Sequence, residues 1–99
     1  MANIQFNYLY RDGGNYKKYG SVVFANPGYV GIQELAALIQ SKLIDQTWFY
    51  HHHWHLPDLR PPTFDTTIDP TWHEFENVAC TSQPADMAVT LAGFLALLG

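Results

Sequence analysis

The run from Thr47 to Leu56, Thr-Trp-Phe-Tyr-His-His-His-Trp-His-Leu, constrains this chain more than any other. Its β-branched and aromatic side chains predict a strand, because they pack well on a pleated, half-buried surface. Alternation would place Trp48, Tyr50, His52 and Trp54 on one face and Phe49, His51, His53 and His55 on the other. A strand this aromatic belongs at the centre of a sheet, and the remaining segments have to supply its neighbours.

The first neighbours are two strands joined as a hairpin. From Asn3 to Tyr10, Ile4, Phe6, Tyr8 and Tyr10 alternate with Asn3, Gln5 and Asn7, which gives one buried face and one wet face. Asp12-Gly13-Gly14-Asn15 is turn chemistry, and Gly20 to Ala25 reads as the returning strand. The stretch between, Arg11 to Tyr19, then becomes a long loop that mixes Arg11, Lys17 and Lys18 with Tyr16 and Tyr19. Asn26-Pro27-Gly28 leads into a helix with Gly31 as N-cap, Glu34 in its first turn and an apolar stripe of Ile32, Leu35, Ala36, Ile39 and Leu43. After the central strand, Pro57, Pro61, Pro62 and Pro70 exclude a helix or an inner strand and predict an irregular loop to Thr71. Thr71 to Cys80 reads as the last strand, with His73, Phe75 and Asn77 facing one way and Trp72, Glu74, Glu76 and Val78 the other. Ala85 to Leu98 reads as a second helix. The expectation is a single α+β domain over residues 1–99: about four antiparallel strands packed with two helices, in the order ββαββα.

Apolar residues make up 47% of the 99, enough for one core without disulfides. Cys80 is the lone cysteine, and the first residues lack the cationic and apolar regions of a signal peptide, so the expected location is the cytoplasm. The most apolar segment, Met87 to Leu98, falls short of the roughly 20 residues that span a bilayer. That helix carries almost no charge, which predicts deep burial or cover by a second subunit in a homodimer.

Charge is unevenly spread. Residues 1–44 carry Arg11, Lys17, Lys18 and Lys42 against Asp12 and Glu34, whereas residues 45–99 carry Asp45, Asp58, Asp65, Asp69, Glu74, Glu76 and Asp86 against Arg60 alone. An acidic half argues against nucleic acid as the main partner, because phosphate binding needs a basic footprint. It suits a surface that meets a basic protein.

Several motifs also resemble a family of small bacterial proteins. They are Asn7-Tyr8-Leu9-Tyr10-Arg11-Asp12-Gly13-Gly14-Asn15-Tyr16-Lys17, then Gly20 to Pro27, Leu43-Ile44-Asp45, Leu56-Pro57, and Trp72-His73-Glu74-Phe75-Glu76. The resemblance spans about residues 4 to 80, and the histidine run lies outside it. No activity is assigned to that family, so the resemblance implies none here.

Three chemistries compete for these residues. His51, His53 and His55 on one strand face could ligate zinc, nickel or copper through neutral imidazoles, with His73, Asp58 or Asp65 completing the shell. Alternate strand residues stand about 7 Å apart, so convergence needs a bend; a solvated histidine row has the same pattern. Cys80 with His73 as base lacks any recognised nucleophile motif, and no glycine-rich phosphate loop is present. The third is a non-enzymatic binding module, in which Trp54, Trp72 and the carboxylates Asp58, Asp65, Asp69, Glu74 and Glu76 form an aromatic patch with an acidic rim. Such a patch would suit an inhibitor of a basic effector, of the antitoxin, immunity or anti-defence kind. This reading requires no catalytic constellation and no cofactor, and it is the expectation taken to the structure, with the histidine-bound zinc protein as its alternative and an enzyme as a third.

Overall fold

The computed structural model describes residues 3–62, 64–65 and 67–98. The alternating N-terminal segment forms β1 (Asn3–Arg11), and β2 (Lys17–Phe24) returns beside it. Helix α1 (Ile32–Ser41), the two-residue β3 (Trp48–Phe49), β4 (His73–Thr81) and helix α2 (Leu91–Leu97) follow. All pairings are antiparallel and the sheet order is β2-β1-β4-β3. This is the expected α+β fold in the order ββαββα.

One face of the sheet carries the core. Ile4, Phe6 and Tyr8 of β1, with Val22 and Phe24 of β2, are buried in one cluster with Leu35 and Ile39 of α1 and Leu91 and Phe94 of α2, and Tyr10 is buried against Phe64 and His73. Phe6 is the hub, with the rings of Tyr8, Phe49, Trp54, Phe75 and Phe94 all around it. Gly31 caps α1 as the sequence implies.

Four expectations are corrected. The stretch Thr47–Leu56 leaves the sheet after Phe49 and coils through successive turns, closed by the N–H of His53 on Tyr50 O and those of Trp54 and Leu56 on His51 O. The reason is parity. Phe49, Trp54 and Leu56 are all buried, yet in a straight strand Phe49 would face away from the other two; only a turn lets the core take all three. Phe49 and Trp54 stack at 4.6 Å with 9° between their planes.

The hairpin loop is shorter than expected. β2 begins at Lys17, because the Asp12 carboxylate accepts the N–H groups of Gly14 and Tyr16, and Asn15 takes a positive φ of 66°. The tip rests on the proline-rich segment, where Gly13 N–H donates to Asp69 Oδ1. A Cβ on Gly13 would run into the backbone carbonyl of Ile68. Gly13→Ala is therefore expected to destabilise the protein by about 1–3 kcal/mol, the cost of overpacking a site whose neighbour is backbone, and a urea titration measures it.

The second helix is also shorter. Thr90, inside the apolar run, is its N-cap, its hydroxyl accepting from Gly93 N–H. The preceding residues run along the sheet edge, where Asp86 N–H and Met87 N–H donate to Val23 O. In β4 a bulge falls at Glu76: Tyr8 pairs with Phe75 but Asn7 with Asn77. The extra residue moves Val78 from its expected outward face to the face of Phe75, opposite Phe6.

Candidate functional site

The proline-rich loop is held at several points by buried polar groups. Tyr8 OH donates to Pro57 O and Tyr10 OH to Pro70 O, each at 2.7 Å. Burial, then the Asp58 and Asp86 charges, push the Tyr8 phenol up to about 12. Between these anchors, Leu59 N–H donates to His73 Nε2 at 3.0 Å. His73 is fully buried, with the rings of Tyr10 and His51 at 5.2 and 5.0 Å. Desolvation, helped by the neighbouring His51 and Arg60 and opposed by Asp58, pulls its pKa down to about 4. The ring is thus neutral at pH 7. Because Nε2 accepts, the proton sits on Nδ1, which is buried without a hydrogen-bond partner among the described residues.

Asp58 stands beside this ring, with Oδ1 3.6 Å from His73 Nε2 and Oδ2 3.7 Å from His51 Nε2. Arg60 claims it: the guanidinium reaches both carboxylate oxygens, and Arg60 N–H adds a third bond. Desolvation would raise the Asp58 pKa, but these bonds outweigh it and hold the carboxyl at about 2. Arg60 also lies 3.4 Å from His51 Nε2 and 4.8 Å above Phe64. The cluster is a neutral histidine, a carboxylate and a guanidinium already satisfied by one another. It works as a clasp for the loop.

The histidine-row expectation does not hold geometrically. His51 is turned inward toward Leu56 O, whereas His52, His53 and His55 are exposed on the coil. Among the described residues no three His, Cys, Asp or Glu side chains are placed to hold a metal ion. Cys80 is exposed, and roughly 20 Å of strand separates it from His73.

The partner-binding residues divide. Trp54 is buried in the core, a correction with the parity reason given above. Asp58 is bound up in the clasp. Asp65 turns back on Thr67, whose N–H and hydroxyl it accepts, and Glu76 is the exposed residue of the bulge. The Asp69 carboxylate accepts the N–H groups of Gly13 and Asp65 and lines a cleft with Trp72. Trp72 and Glu74, in contrast, come together on the outer side of the sheet near β3. There Trp48 pairs with Glu74, so both face outward, and Trp72, two residues before Glu74, shares that face. The two indoles lie 6.0 Å apart. Arg11 Nε donates to Glu74 Oε2 at 2.9 Å.

Three adjoining clefts share Trp72. One, of about 300 Å³, runs from Arg11 and Asp12 to Trp48, Pro70 and Glu74; the second, of about 200 Å³, is bounded by Ile44, Asp45, Trp48 and Tyr50; a shallower one follows Thr67 to Thr71. Ile44, Ile68 and Trp72 are exposed. Around them stand Asp12, Asp45, Asp69 and Glu74, against Arg11 alone, which Glu74 already neutralises. Sequence reasoning missed Ile44, Asp45 and Trp48. The outward direction of Trp48 was legible in its alternation with Phe49, but its place beside Trp72 depends on the β3–β4 register.

No helix among the described residues is long and apolar enough to cross a membrane. Comparison with protein-family models, with curated proteins and with solved structures found no match.

Proposed function

We propose that this protein is a non-enzymatic binding module that docks a basic partner protein on the outward surface around Trp48 and Trp72, in the manner of a small inhibitor. The observation that supports it is a pair of adjoining clefts that share Trp48 and Trp72 and are lined by the carboxylates of Asp12, Asp45 and Glu74. Tryptophan supplies large, stiff contact area, and anchors of this type concentrate binding energy. The acidic rim selects a cationic partner and speeds encounter. The clasp at His73, the other chemically rich cluster, is internally satisfied and serves to fix the loop that carries Ile68 to Trp72.

The immobilised protein, exposed to lysate of its native host, should retain one stoichiometric basic partner at low salt. Trp72→Ala should weaken that complex about 30-fold or more, the scale of a hot-spot truncation, and Asp45→Asn should weaken it further while leaving thermal stability nearly unchanged. Equal retention by the wild type and Trp72→Ala would remove this surface from the interaction.

A further inference from the structure

The opposite edge of the sheet, formed by β2, is only half covered. Val23 directs both its N–H and its C=O away from β1: the N–H donates to Asp86 Oδ1 at 2.7 Å, and the carbonyl accepts from Asp86 N–H and Met87 N–H. In an antiparallel ladder that outward direction recurs at every second residue. Lys17, Tyr19 and Ser21 therefore also point their backbone groups outward, and among the described residues these have no partner. The strand register agrees, since Lys17, Tyr19 and Ser21 stand opposite Arg11, Leu9 and Asn7, alternating with the residues bonded to β1.

Side chains around this open half are unlike those of a merely guarded edge. Lysines alone would serve to deter edge-to-edge association. Here Lys17 and Lys18, both without an ion-pair partner among the described residues, are interleaved with Tyr16 and Tyr19, which are 77% and 59% exposed. Together with Tyr10, Pro61 and Asp12 they line a groove of about 430 Å³, and the Asp12 carboxylate there already accepts the N–H groups of Gly14 and Tyr16. A groove of that size accepts one large side chain. The covered half of the same edge also shows what suits it: a carboxylate, that of Asp86, meets the outward N–H of Val23.

We infer that the Lys17–Ser21 edge is a docking site for an extended acidic segment of a partner protein, which adds a strand to β2, seats an aromatic side chain in the tyrosine groove and sets carboxylates against Lys17 and Lys18. Strand addition takes its affinity from main-chain hydrogen bonds and its selectivity from alternate side chains. The site lies along the sheet edge opposite β3 and adjoins the tryptophan surface at Asp12, which lines a cleft of each; the inference does not rest on the function proposed for that surface.

The test uses the acetylated peptide Asp-Glu-Val-Phe-Val-Glu-Asp-amide and a counterpart with lysine at each acidic position, titrated into isotope-labelled protein to about 1 mM, the range of weak contacts. The acidic peptide should shift the amide resonances of Lys17, Tyr19 and Ser21 and slow their hydrogen exchange, and the lysine peptide should not. Charge reversal at both Lys17→Glu and Lys18→Glu should weaken binding about tenfold or more. Tyr19→Pro should abolish it, because proline removes an outward N–H that β1 does not use; its unchanged β1 resonances report that the fold persists. No shift along Lys17–Ser21, equal response to both peptides, or undiminished binding by the charge-reversed variant would each overturn the inference.

Discussion

Truncation of Phe6 to alanine is expected to cost about 3–5 kcal/mol, the range for a large buried aromatic replaced by a methyl group. Phe6 is 1% exposed and touches rings from β1, β3, β4, the coil after β3 and α2. Few sites could collapse less readily. The neighbours are themselves rigid aromatics held by different elements, so the cavity persists and the tilted and edge-to-face contacts are lost with it. Against the 5–15 kcal/mol typical of a domain, such a loss takes a large share of the stability. Urea unfolding followed by tryptophan fluorescence should show a lower midpoint with an unchanged slope. A loss below about 1 kcal/mol would mean that Phe6 is not the hub of the core.

The second large effect is acid sensitivity centred on His73. Its pKa falls from the ordinary 6.5 to about 4 in the folded protein because charging it would strand a cation among Tyr8, Tyr10 and Phe49, beside His51 and Arg60. Between those two values the unfolded chain binds the proton and the folded protein does not. Stability is therefore full above pH 6.5 and declines as pH falls toward 4, by about 3 kcal/mol on the linkage relation. Protonation also removes the acceptor for Leu59 N–H. Below that window Asp58, held at about 2, adds a second decline as it protonates between its ordinary 3.8 and that value. His73→Phe should cost about 1–3 kcal/mol at pH 7, through the orphaned Leu59 N–H, and should flatten the profile between pH 6.5 and 4. Thermal unfolding of both proteins across that range measures the difference. A wild-type profile that is flat there would remove His73 from the account.

The candidate site was partly legible. Trp72 and Glu74 share a face by simple alternation, and Asp69 lies just before them in the same acidic stretch. Trp54 was not distinguishable from Trp72 in the sequence, since each is an indole flanked by polar residues. Their fates differ because Trp54 follows Phe49 by an odd number of residues, and the core claims both rings. The histidine run likewise imitates a strand until the turns closed on Tyr50 O and His51 O, with a positive φ at His55, coil it away from the sheet. Thr90 was readable as a cap in principle, but the apolar residues on both sides of it hid the helix start.

Local chemistry therefore determined the elements: period-two alternation made β1, the Asp12 to Asn15 turn made the hairpin, and the stripe from Ile32 to Leu43 made α1. Those signals act over a few residues, so the sequence alone carries them. Tertiary structure decided the rest. The bulge at Glu76, the clasp of His73 on Leu59 and the meeting of Trp48 with Trp72 join residues far apart in the chain, and the coil after Phe49 follows from the core's claim on Phe49, Trp54 and Leu56 together. Each depends on strand register and on competition for one small core, and a shift of one residue reverses which side chains face it.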